Sequence, residues 1–87
     1  MTSPRQPVTD LHREFGDRIR AKRAELGLSQ EALAHRAGLQ RAYIGQLESG
    51  MRNVGLDNLT RLARALDTDL GDLLRGLQKV PGKHGLS

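Results

Sequence analysis

Residues 30–50 read QEALAHRAGLQRAYIGQLESG, and this stretch decides the fold that we predict for the chain. Small and apolar residues recur in it at helical spacing, and a glycine follows each of two short helical segments. Ser29 can cap the first helix with its hydroxyl, and Gly38 suits the left-handed position after that helix. The pattern therefore predicts a helix over residues 30–37, a tight turn and a second helix over residues 40–49.

These two helices must cross at short range, because the turn between them is tight. Ala34 is small enough to permit the crossing, whereas a bulky side chain there would push the helices apart. At 100° per residue, Ile44, Leu47 and Glu48 share one face of the second helix and point inward. This arrangement is typical of a helix-turn-helix, whose second helix enters the major groove of DNA.

The opposite face of the second helix is small and polar, which would let its backbone sit deep in the groove. Arg can pair bidentately with guanine, and Gln with adenine. On an isolated helix, the polar residues of this face would more simply be interpreted as solvated surface residues. The surrounding helix-turn-helix motif instead favours the interpretation that they contact DNA. Gly45 costs roughly 1 kcal/mol relative to Ala in a helix, which either close approach to DNA or simple tolerance of a small residue would explain. We predict that four residues read bases: Gln40, Arg41, Ala42 and Gln46.

Phosphate contacts are predicted at the ends and flanks of the motif. Gln30 opens its helix, where free N–H groups and the helix dipole favour an anion. Tyr43 would reach the DNA backbone with its hydroxyl, although a partly buried core aromatic is the alternative. Arg52 lies in the following loop, where a solvated charge is the alternative. The predicted phosphate contacts, which orient the protein without reading sequence, are Gln30, Tyr43, Ser49, Arg52 and Asn53.

The composition favours one small all-α domain. Fifteen Leu and eight Ala stand against two Ile and three Val in 87 residues, and Leu and Ala favour helix. The absence of Cys excludes disulfides and thiolate metal sites. The net charge is +4, with a balance of +3 over residues 11–52 and −1 over residues 53–77, so the positive half holds the helix-turn-helix.

The rest of the chain predicts three more helices and two flexible ends. Val54 and Leu56 are expected to tuck into the core from the loop before the fourth helix. Asp67 stands where a Gly would be expected to close that helix. The expected organisation is an arm over residues 1–8, a domain over residues 9–77 and a tail over residues 78–87, with further helices over residues 10–26, 57–66 and 70–77.

Residues 15–74 resemble the lambda repressor/Cro-type helix-turn-helix family through the motifs LGLSQEALA, RAG, YIGQLESG and LARAL. The resemblance implies a five-helix bundle, dimeric binding to a palindromic operator, and a buried ion pair between Arg23 and Glu48. The inward position of Glu48 supports that pair, while a solvated Arg23 or a Glu48 bonded only to backbone would be alternatives. Asp67 departs from the Gly that is common in the family. The segment QRAYIGQLESGMRNVGLDNL also resembles the controller proteins of restriction-modification systems.

We therefore predict a cytoplasmic transcriptional regulator that binds double-stranded DNA as a homodimer, with helix 5 and the loop between helices 3 and 4 as the expected interface. The alternative is an antitoxin or another protein-interaction module with the same fold. No enzyme is expected, because His12, His35 and His84 lie in separate segments without a catalytic motif. No cofactor, metal, membrane partner or small-molecule ligand is expected either. We therefore expect DNA binding to be regulated by the concentration of the protein, through the dimerisation equilibrium.

Overall fold

The computed structural model describes residues 9–81, which contain five α-helices and a final turn of 3-10 helix. The elements are α1 (Asp10–Glu25), α2 (Gln30–Ala37), α3 (Arg41–Glu48), α4 (Leu56–Ala65), α5 (Leu70–Leu74) and the 3-10 helix (Leu77–Lys79). No strand occurs within residues 9–81, and the predicted five-helix, all-α fold is confirmed. The predicted arm over residues 1–8 and residues 82–87 of the predicted tail lie outside the described residues.

The core forms where the apolar faces of the helices meet. α2 packs against both α3 and α4, and α1 packs against α3. Burying a Leu or Ile side chain contributes roughly 1.5–3 kcal/mol, so these faces hold the helix-turn-helix in place. Among the described residues, the largest fully buried side chains are Ile19, Leu33, Ile44, Leu47, Leu62 and Leu66.

Four helices end in the same way, with a residue in the left-handed conformation. Glycines hold this position after α1, α2 and α3, and after α4 it is held by Asp67, whose φ is 54°. The residue that follows then donates its N–H back across the last turn, as Leu39 does to the Ala34 carbonyl at 2.9 Å and Thr68 does to the Ala63 carbonyl at 3.0 Å. The junction between α4 and α5 therefore forms in the same way although Asp67 stands where a Gly was expected. This left-handed backbone conformation is less favourable for Asp than for Gly, because Asp carries a side chain.

Gly16 allows α1 to cross the end of α3 at backbone contact. A Cβ on Gly16 would lie 2.5 Å from the carbonyl oxygen of Leu47 and 2.6 Å from that of Glu48. Because both obstacles are backbone atoms, no rotamer change would relieve the clash. The sequence pattern does not reveal this crossing, since Gly16 lies inside a helix and marks neither a turn nor an end.

Two details of the predicted helices are wrong. Leu56 does not tuck into the core: it begins α4 and is 70% exposed, whereas Val54 is half-buried against the core. The fifth helix ends at Leu74 rather than Leu77, because the chain turns at Gly76, whose φ is 76°. Gln78, which was expected to open the tail, lies in the 3-10 helix.

Candidate DNA interface

α3 turns one face into the core and the other outward. Ile44, Leu47 and Glu48 are buried, as their spacing predicts. Gln40 precedes the helix as its N-terminal cap residue without making a side-chain capping bond, so its amide stays available. The four predicted base-reading side chains are all exposed, on the first turn and outer face of α3: Gln40, Arg41, Ala42 and Gln46.

A buried ion pair fixes α3 against α1. The Arg23 guanidinium donates from Nε to Glu48 Oε2 at 2.6 Å and from Nη2 to Oε1 at 3.0 Å. Arg23 also donates to the Leu28 carbonyl at 2.9 Å, and Arg20 donates to the Glu48 carbonyl at 3.3 Å. The hydrogen bond to Glu48 raises the pKa of Arg23 more than burial lowers it. Glu48, only 3% exposed, is therefore fully partnered and holds the end of α3.

Gln30 reaches across from α2 to the same carboxylate. Its Nε2 donates to Glu48 Oε1 at 3.0 Å, and its amide lies beside the outward face of α3 at Gly45. A Cβ built on Gly45 would meet the Gln30 oxygen at 3.7 Å, which is ordinary van der Waals contact. Gln30, predicted to contact phosphate, thus has one amide hydrogen committed inside the protein, which the sequence alone did not indicate.

Tyr43 lies at the flank of the exposed face, half-buried against the core. The guanidinium carbon of Arg52 lies 5.2 Å from the centre of its ring, within the range of a cation–π interaction. Its hydroxyl accepts a hydrogen bond from Asn58 Nδ2 at 3.2 Å. The structure thus joins two predicted phosphate-contacting residues in one cluster and adds Asn58, which the sequence reasoning missed.

The other two predicted phosphate-contacting residues lie at the end of α3 and in the loop that follows. Ser49 is the exposed residue that closes α3. Asn53 is exposed in the loop, and its side-chain oxygen pairs with His12 Nε2 of α1. His12 is held in turn through Nδ1 by Thr9 Oγ1, 2.6 Å away, which also caps α1. No sequence signal links His12 to Asn53, because the pairing spans 41 positions.

No group of three His, Asp or Glu side chains within residues 9–81 is arranged to hold a metal ion. None of the helices in that range has both the length and the apolar character needed to cross a bilayer. What the surface does present is a row of exposed amide, guanidinium and hydroxyl donors beside α3, which suits DNA phosphates and base edges.

Comparison with known proteins agrees with this geometry. The control protein C.BamHI of Bacillus amyloliquefaciens is 43% identical over 61 residues, which cover 69% of this chain and 75% of that protein. The control protein C.SmaI of Serratia marcescens is 41% identical over 75 residues, which cover 84% of this chain and 89% of that protein.

Solved structures and a family model point the same way. The restriction-modification controller protein C.AhdI from Aeromonas hydrophila superposes with a TM-score of 0.69 and 50% identity, over 74% of this chain and 96% of its own. The DNA-binding domain of the P22 C2 repressor gives a TM-score of 0.68 and 35% identity, over 71% of this chain and 82% of its own. A helix-turn-helix family model matches residues 19–73. The chain therefore belongs to the lambda repressor-like helix-turn-helix family of DNA-binding transcriptional regulators.

Proposed function

We propose that this protein binds a palindromic or nearly palindromic operator as a homodimer, with α3 of each protomer in the major groove. The observation that carries the proposal is the orientation of α3, whose inner face is locked by Glu48 and whose outer face is open. A helix held this rigidly can present side chains to base edges at a defined depth. The small residues Ala42 and Gly45 on that face would allow the backbone to approach closely.

The side chains divide into two roles in this proposal. Gln40, Arg41 and Gln46 contact base edges, with Ala42 packing beside them. The residues around this group hold the sugar-phosphate backbone and set the register of the protein on the duplex. These phosphate contacts are Gln30, Tyr43, Ser49, Arg52 and Asn53.

Two arginines provide matched variants that test the division. Selection of binding sites from random duplexes would first define the half-site. We expect Arg41→Ala to lose about 1–3 kcal/mol of discrimination at one base position per half-site. We expect Arg52→Ala to weaken binding to every sequence alike and to reduce the salt dependence of the binding affinity by about one phosphate contact.

Two outcomes would contradict these expectations. An Arg41→Ala variant that loses affinity equally for all sequences would contradict the base-reading role of Arg41. Failure of the wild-type protein to select any duplex would favour the protein-interaction alternative.

A homodimer is proposed because α3 is short. Its eight residues can contact only a few base pairs, whereas two copies about 34–36 Å apart would read two half-sites one helical turn apart. The likeness to controller proteins of restriction-modification systems supports a finer proposal, that the operator controls genes of such a system. Footprinting on the promoters of adjacent nuclease and methyltransferase genes would test this, and protection confined to unrelated promoters would argue against it.

A further inference from the structure

The side chain of Tyr43 is held from two directions by residues of different elements. Arg52, from the loop after α3, stacks at 5.2 Å from the ring centre. Asn58, from the first turn of α4, donates its amide N–H to the hydroxyl oxygen at 3.2 Å. The ring itself packs on the core and is half-buried, so the hydroxyl has a defined position at the edge of the exposed α3 face.

The direction of the Asn58 hydrogen bond determines what the hydroxyl can do. A phenolic O–H has one proton to donate and lone pairs to accept. Because Asn58 Nδ2 donates to the oxygen, the hydroxyl proton must point away from Asn58. Within residues 9–81, no protein group accepts this proton in a hydrogen bond. The hydroxyl is therefore set as a donor toward the space beside α3, where an acceptor oxygen of DNA would lie.

We propose that Asn58 is a positioning residue for DNA binding, which orients the Tyr43 hydroxyl so that its proton is donated to a phosphate oxygen. This inference rests on the proposed placement of α3 in the major groove. It assigns a role to a residue of α4, outside the helix-turn-helix. Arg52 supports the same contact, because its stacked guanidinium limits ring motion and adds positive charge beside the hydroxyl.

A double-mutant cycle tests whether Asn58 acts through Tyr43. A hydrogen bond to a charged acceptor corresponds to about a 10- to 100-fold change in affinity, which we expect Tyr43→Phe to lose for every duplex. Asn58→Ala should lose roughly 3- to 10-fold, because the hydroxyl stays but is no longer oriented. The double variant should bind no more weakly than Tyr43→Phe alone. Additive losses would overturn the proposal.

Asn58→Asp provides a sharper test, because it reverses the polarity of the contact. A carboxylate would accept the hydroxyl proton and so withdraw it from the DNA. It also adds a negative charge, and this part of the effect is measured separately by making the same change in the Tyr43→Phe protein. We expect a larger loss of affinity in the protein that retains the hydroxyl. Equal losses in the two backgrounds would show that Asn58 does not set the direction of the proton.

Tyr43 is the only tyrosine and the chain has no tryptophan, so the tyrosine fluorescence of the free protein reports on this side chain alone. Asn58→Ala should change that emission, whereas Thr60→Ala should change neither emission nor affinity. Thr60 is a matched control because its hydroxyl donates to the Leu56 carbonyl of the same helix at 3.0 Å rather than to Tyr43. Wild-type protein that selects no duplex would refute the proposed function. If the wild-type protein selects a duplex and Tyr43→Phe binds it equally well, this inference and the phosphate contact of Tyr43 are refuted, whereas the placement of α3 in the major groove is not.

Discussion

The packing of the folded chain does not explain why position 45, inside α3, is occupied by Gly. Its position inside α3 costs roughly 1 kcal/mol relative to Ala. The nearest side-chain atoms to a Cβ there would be those of Gln30, at 3.7 and 3.9 Å, so the protein itself has room for Ala. The fold of the protein therefore does not require Gly at position 45. Under the proposed function, a close approach of α3 to DNA explains why the residue is Gly.

We expect Gly45→Ala to stabilise the protein and weaken its binding to DNA. Ala should raise the free energy of unfolding by roughly 0.5–1 kcal/mol, which corresponds to a few degrees in Tm for a domain of this size. The added methyl group should separate α3 from the groove and lower affinity for the selected operator. Thermal unfolding and a binding titration on the same preparation measure both effects. Increased stability with unchanged affinity would show that the α3 backbone does not approach DNA closely.

At the scale of elements, the helix ends are determined locally but the helix crossings are not. Each of α1 to α4 ends with a residue in the left-handed conformation, and three of these residues are glycines that the sequence marks as stops. By contrast, Gly16 serves a crossing between α1 and α3, and Arg18 of α1 donates to the carbonyl oxygens of Leu73 in α5 and of Arg75 just after it. Such contacts join residues far apart in sequence, so no local pattern predicts them.

The end of α4 offers a stabilising substitution. Asp67 has a φ of 54°, which Asp tolerates but Gly adopts without steric cost. Asp67 also places a negative charge at a helix C-terminus, which the helix dipole disfavours. We expect Asp67→Gly to raise the free energy of unfolding by about 0.5–1 kcal/mol, measured by chemical denaturation.

Two control variants separate the effects of charge and backbone at this position. Asp67→Asn removes the charge while keeping a side chain that tolerates the left-handed conformation, so it should recover only part of the gain. Asp67→Val should destabilise the protein by about 1–3 kcal/mol, because a β-branched residue is strained there. If Asn matches Gly in full, charge rather than backbone conformation limits the stability of this turn.

At the scale of the whole molecule, the surface includes an apolar groove between α1, α4, α5 and the loop after α3. Its volume is about 200 Å³, and Leu11 at its rim is 42% exposed. The groove contains residues of both segments expected at the dimer interface, Val54 of the loop and Leu74 of α5. The second protomer of the proposed homodimer would cover this apolar surface.

Substitutions of two exposed leucines, one in α1 and one directly after it, test whether this groove is the dimer interface. Leu11→Glu should shift the protein toward monomer in sedimentation and weaken operator binding, because a charge would be buried at the groove. Leu26→Glu is the matched control: Leu26 is 41% exposed but does not line the groove, so its change should leave both measurements unaltered. A dimer that tolerates Leu11→Glu as well as it tolerates Leu26→Glu would place the interface elsewhere.

The sequence by itself determined the helix-turn-helix, because its signals are local: apolar spacing on α3, a small residue at the crossing and a left-handed glycine at the turn. It also predicted that Glu48 points inward, because helical periodicity fixes that face. Only the tertiary structure decided which partners meet, such as Asn58 with Tyr43, His12 with Asn53, and Gln30 with Glu48. These pairs depend on how whole helices pack, and packing is set by the sum of many apolar contacts rather than by any segment of sequence.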